Sequence, residues 1–227
     1  MGRRRLRLRA ATRKEHGRGQ SRNDRKRCLH FLGAMRRSAI PAIKSRSCNN
    51  RALIPEAPLT PAGAGLSPDG DGWFIVNARD ARWQECDFGA FTAFEGAVRF
   101  PQLGINIGVL EPGQPACMYH GENEQEDFLV LSGKCLLLIE GEERSLKAWD
   151  FVHCPAWTEH VFVGAGSGPC AILAVGSRTG GDVIYPASDP AQRHGAGVDV
   201  ETADPNEAYA RFRPNADVEY REGWLPS

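Results

Sequence analysis

Residues 113–133 read GQPACMYHGENEQEDFLVLSG, and residues 149–164 read WDFVHCPAWTEHVFVG. Both stretches carry short runs of apolar and β-branched residues broken by turn residues, which is the pattern of strands rather than helices. Working outward, strand-like segments follow one another at 104–110 (GINIGVL), 117–120 (CMYH), 126–131 (EDFLVL), 134–140 (KCLLLIE), 144–149 (RSLKAW), 150–154 (DFVHC), 160–163 (HVFV) and 170–176 (CAILAVG). Leu131-Ser132-Gly133-Lys134 reads as a tight hairpin with Gly133 at a positive φ, and Gly141 plays the same part in the next connection. No 3.6-residue period competes with this, so the expected fold class is all-β, a sandwich or a barrel.

Three of the six histidines of the chain, His120, His153 and His160, fall inside this region. Residues two apart on a strand face the same way, so His120 and Glu122 look in one direction. Glu126 opens the next strand after the polar GENEQ stretch, and His160 opens a later one. A closed barrel can aim such side chains at one interior point. Two imidazoles with carboxylates are what a divalent transition metal takes, with Mn, Fe and Zn all admissible. His153 is off this pattern and reads as an ordinary core or surface histidine. Met118, Phe128, Trp157 and Phe162 are the expected lining of the pocket, and plain barrel packing accounts for the aromatic ones equally well.

The two segments resemble the paired motifs of the cupin superfamily, G-x5-H-x-H-x3,4-E-x6-G and G-x5-P-x-G-x2-H-x3-N. Gly113, His120, Glu126 and Gly133 match the first, with one extra residue before His120; Pro155 and His160 match the second. The resemblance implies a double-stranded β-helix or jelly-roll barrel with His120, Glu122, Glu126 and His160 on one metal ion. It departs from the family at Glu122, which stands for the usual second His, at Trp149 and Trp157, which stand for two glycines, and at Gly164, which stands for the Asn. Two glutamates make the site more anionic and favour harder metals. The missing glycines imply that the loop of the second motif is shaped differently here.

The formal net charge of zero hides a division: residues 1–50 hold 16 Lys+Arg against Glu15 and Asp24, a net of +14, and the remaining 177 residues carry −14. The first 50 residues read as a basic, disordered arm. It could bind nucleic acid, serve as a targeting peptide, or be an artefact of an upstream start codon, Met35 being an internal alternative; the artefact or an inert tail is favoured. Residues 51–85 read as a Pro/Gly-rich linker with a lead-in strand at WFIVNA (73–78), 86–178 as the barrel, and 179–227 as an extension wrapping the barrel or a partner. Asp204 with Pro205 reads as a helix start in that extension. Seven cysteines, an odd count without C-x-x-C, fit reduced thiols and a cytoplasmic location. No apolar run is long enough to span a membrane.

Two functions stay open at this stage. One is an enzyme holding a small polar metabolite at the metal, with Glu122 or Glu124 as general base. The other is a binding or sensing module in which the metal only fixes a ligand or stiffens the barrel. The apolar character of the expected inward positions Met118, Phe128, Val130 and Leu137 weighs against the enzyme. The acidic body excludes nucleic acid except through the arm, and unguarded edge strands suggest a homodimer.

Overall fold

The computed structural model describes residues 52–227, so the basic arm lies outside the described residues. The described chain is built from fourteen strands: β1 (Leu59–Ala62), β2 (Gly65–Pro68), β3 (Trp83–Cys86), β4 (Gly89–Thr92), β5 (Leu103–Leu110), β6 (Gly121–Glu122), β7 (Glu126–Ser132), β8 (Lys134–Ile139), β9 (Glu142–Lys147), β10 (Phe151–Cys154), β11 (His160–Ala165), β12 (Cys170–Ser177), β13 (Val183–Ile184) and β14 (Ala216–Val218). Two short helices, α1 (Asp189–Arg193) and α2 (Pro205–Ala208), lie between β13 and β14. No helix among the described residues is long and apolar enough to cross a membrane.

The strands form a larger sheet in the order β10-β7-β12-β5-β4-β3-β14 and a smaller one in the order β11-β8-β9. The segment 115–120 extends the smaller sheet through isolated bridges Pro115–Val163 and His120–His160, and β6 pairs with β13 beyond it. All named pairings are antiparallel. The two sheets face each other across a core that includes Phe128, Val130, Leu137, Phe162 and Ile172. This is a jelly-roll barrel, as the family resemblance implies.

Local chemistry explains the elements. In β7 the buried residues alternate as Glu126, Phe128 and Val130, the period of a strand with one covered face. In contrast β9, EERSLK, is polar and exposed apart from half-buried Leu146, because it is the outer edge of the smaller sheet. Gly133 has φ +75, and a Cβ there would stand 2.3 Å from the Pro169 carbonyl, so only glycine makes the β7–β8 turn.

Two expectations are corrected outside the barrel. The Pro/Gly-rich stretch is not free of regular structure: β1 and β2 form a hairpin in it, paired from Leu59–Pro68 to Ala62–Gly65. Proline and glycine are tolerated because this two-stranded sheet consists of edges. WFIVNA, conversely, forms no strand and contributes a single bridge, Trp73 to Glu56. The chain beyond β12 folds back over the barrel. Trp83 stacks at 5.0 Å on Trp224, with Tyr220 at 6.0 Å, and Arg221 binds Glu85 with two hydrogen bonds of 3.0 and 2.8 Å. Asp204 caps α2 by accepting from the Asn206 N–H at 2.8 Å, with Pro205 at the first turn.

A third correction concerns the second motif. Trp149 and Trp157 have φ of +74 and +70. The left-handed backbone that suits glycine is therefore adopted at both positions where the family motif has glycine, without a glycine there. A bulky residue in this conformation costs on the order of 1–2 kcal/mol. Trp149 is 73% exposed and packs little to offset that cost. Trp149→Gly is thus expected to stabilise the protein by up to about 1 kcal/mol, the relief exceeding the added freedom of the unfolded chain. A fall in the denaturation midpoint would refute this assignment of strain.

Candidate metal centre

His120 and His160 are cross-strand partners. The His160 N–H donates to the His120 carbonyl at 2.9 Å and the His120 N–H to the His160 carbonyl at 3.3 Å. Their rings face each other with centroids 5.1 Å apart. Each ring is held by its own backbone: Nδ1–H of His120 donates to the Met118 carbonyl at 2.8 Å, and Nδ1–H of His160 to the Thr158 carbonyl at 2.9 Å. With the proton fixed on Nδ1, both Nε2 atoms present lone pairs to the interior.

Glu126, the first residue of β7, completes a group whose ligand atoms all lie within 4.8 Å of one another, and all three side chains are buried. His160 Nε2 and Glu126 Oε2 are 3.4 Å apart. That approach is not an ion pair in the ordinary sense. Burial lowers the affinity of the His160 ring for a second proton, and burial with the neighbouring His160 brings His120 down to about 3. With Glu126 ionised, two acceptor atoms therefore face each other. His120 Nε2, His160 Nε2 and both oxygens of Glu126 are buried with no hydrogen-bond donor. Orphaned acceptors are costly in a protein interior, and a divalent cation satisfies all of them at once. The donor set, two imidazoles and a carboxylate, fits such an ion.

Glu122 lies on β6, also buried, with its carboxyl against that of Glu126. Burial raises Glu122 to about 7. Burial first, and then the charge of Glu122, push Glu126 well above the usual carboxylate range. Without a cation the two carboxyls thus hold at least one proton near neutrality.

Glu124 has another task. Its Oε1 accepts from the Gly180 N–H at 2.7 Å and the Thr179 hydroxyl at 3.0 Å, and from the Thr179 N–H. It is a buried strut for the chain leaving β12, not a base free in the cavity.

Phe128 and Phe162 sit in the core, 4.7 Å from each other, with the Phe128 ring 5.2 Å from His160. Met118 lies in a different cluster, with Phe88, Tyr185 and Ala208. Five residue steps from Pro115 to His120 span only three on β11, so the segment bulges and strict alternation is lost before His120. The extra residue in the first motif is the mark of this bulge. Trp157 is half-exposed at the rim, its N–H donating to the Glu122 carbonyl at 2.6 Å. His153 pairs with Asp127 on the surface at 2.6 Å. Tyr185 was not foreseen: it follows β13, and its ring lies 6.0 Å from that of His120. It stands in an irregular stretch where no periodicity could single it out.

An antiparallel barrel that brings two histidines and a carboxylate to one interior point offers a site that could hold a metal ion. The barrel is a cupin domain: residues 106–176 match the family described as Cupin domain. Among solved structures, it resembles a putative sugar phosphate isomerase from Acidithiobacillus ferrooxidans, at 29% identity over 43% of this chain and 66% of that one, TM-score 0.40. A sugar phosphate isomerase of the cupin superfamily from Silicibacter pomeroyi is 23% identical over 66% of this chain and 83% of its own, TM-score 0.39. The polyketide cyclase RemF from Streptomyces resistomycificus is 14% identical over 45% and 78%, TM-score 0.41. The chain spans just under two thirds of the first of these structures, 66%. No curated protein matches the chain.

Proposed function

We propose that this protein holds one divalent ion, Mn, Fe or Zn, at His120, Glu126 and His160 with Glu122 as fourth donor, and binds and acts on a small polar metabolite there. The observation that carries the reading is the set of four buried acceptor atoms without a donor. When bound, the ion supplies Lewis acidity, and iron in addition a means of activating dioxygen. The chain's own part is positional. Carbonyls of Met118 and Thr158 keep both imidazoles in the ligating tautomer, and Glu122, next to Glu126, is the group able to hold or release a proton within reach of the site.

A second reading, a sensing module with a structural metal, draws support from the depth of the site and from Tyr185 over His120. Water-proton relaxation of the Mn2+-loaded protein separates the two. A rapidly exchanging water on the ion is expected, because a site that acts on a metabolite keeps an open position. A Mn2+ ion silent to solvent would leave only the structural reading. Glu122→Gln is expected to keep one Mn2+ per chain with about 10- to 100-fold weaker affinity; unchanged affinity would remove Glu122 from the donor set.

A further inference from the structure

We infer that Arg178 is a second anchor of this site, receiving a carboxylate or phosphate of the metabolite whose other end lies at the metal; the inference rests on the metal reading above. Glu126 on β7 is opposite Gly176 on β12, and Gly176 is opposite Gly104 on β5. These three residues form one row across the inner face of the larger sheet. Arg178 lies just past the end of β12, and its side chain lies across Gly104 on the side a Cβ there would occupy. A Cβ built on Gly104 would stand 3.1 Å from both Nε and Nη2 of Arg178. Two strand spacings, about 10 Å, therefore separate the backbone that carries the metal carboxylate from the backbone under the guanidinium.

The residue between them has no side chain. A Cβ on Gly176 would meet Glu126 Oε1 at 3.5 Å, an ordinary contact, so glycine leaves a bare strip there. Gly104 and Gly176 are also partly exposed, whereas the ligand side chains are buried.

Arg178 is held and charged for binding an anion. Its Nη1 donates to Glu95 Oε1 at 2.5 Å and to the Phe100 carbonyl at 3.0 Å, and its Nη2 donates to Glu95 Oε2 at 3.2 Å. Glu95 also pairs with Arg99 at 3.2 Å, so two guanidiniums share one carboxylate and a positive charge remains. Nε of Arg178 is buried without an acceptor. A strut alone has no use for a buried unpaired donor, while an oxyanion laid on the strip would take it up with a charge-assisted bond.

The test is calorimetric titration of the Mn2+-loaded full chain with inorganic phosphate in one arm and malonate in the other, since the two share the oxyanion. Binding in either arm is expected, and the stronger arm identifies the group carried by the metabolite. Arg178→Ala should weaken that binding about 10- to 100-fold, with Mn2+ stoichiometry unchanged. Gly176→Ala leaves the Arg178–Glu95 pair intact and narrows the strip; it should weaken the anion in the same direction, and it decides the matter if Arg178→Ala does not fold. Equal anion affinity in the parent and both variants, or no binding in either arm by protein that holds Mn2+, overturns the inference alone. A parent that holds no Mn2+ overturns the metal reading and this inference together.

Discussion

His120→Ala, Glu126→Gln and His160→Ala are each expected to drop the metal content after dialysis from about one equivalent per chain to below about 0.2, because a buried site that loses one of few ligands loses most of its affinity. The stabilities should then change in opposite senses with and without metal. In chelator, Glu126→Gln removes a buried carboxyl lying against that of Glu122, and the variant should be more stable than the parent by about 1–3 kcal/mol. With Mn2+ at a thousand times its dissociation constant the parent gains about 4 kcal/mol, and the variant gains little. The order of melting temperatures therefore reverses on adding the ion. A merely structural Glu126 would give a variant less stable in both conditions, and that outcome, with undiminished metal content, would end the metal reading.

How much of this was legible in the sequence depends on which periodicity carries the information. His120, Glu126 and His160 were legible because strand alternation and motif spacing act over a few residues, and the structure brings the three together. Met118 illustrates the limit. Alternation puts it beside His120, but the bulge between Pro115 and His120 sends it to the cluster with Phe88 and Tyr185. Trp149 and Trp157 illustrate a different limit. The absence of glycine suggests a changed loop, yet the surrounding hydrogen bonds, Trp149 N–H to the Val130 carbonyl at 2.7 Å and Trp157 N–H to Glu122, impose the left-handed turn on tryptophan. Glu124 reads in the sequence as an alternative general base to Glu122, because its donors, Thr179 and Gly180, lie some 55 residues further on. Arg178 stands one residue past the end of β12, where strand alternation no longer applies. What hid it was the end of the family motif at the barrel's last strand. Tyr185 and the β1–β2 hairpin depend on tertiary contacts that leave no local pattern.

The metal-free protein should lose stability as pH rises above about 6.5, while the Mn2+-loaded protein should not. The carboxyls of Glu122 and Glu126 are both raised by burial, Glu122 to about 7 and Glu126 well above the usual carboxylate range, against an ordinary value of 4.5. Between 4.5 and the raised value the folded chain keeps a proton that the unfolded chain releases, so each carboxyl costs stability as pH rises through that window. The two histidines act in the other direction. His120 is lowered to about 3 and His160 is also lowered, from 6.5. Below 6.5 the unfolded chain takes up protons that the folded rings refuse, and stability falls as pH falls. From 4.5 to 6.5 the two effects oppose each other, two carboxyls against two imidazoles, and the metal-free protein should change little. Above 6.5 the histidines no longer titrate in either state and only the carboxyls remain, at about 1.4 kcal/mol per pH unit for each proton retained. Metal requires these same carboxylates ionised, so its binding releases protons and strengthens through the same range. Melting temperatures in chelator and in Mn2+ should thus diverge between pH 6.5 and 8. A metal-free protein as stable at pH 8 as at pH 6 would mean that the carboxyls of Glu122 and Glu126 are not buried against each other as described.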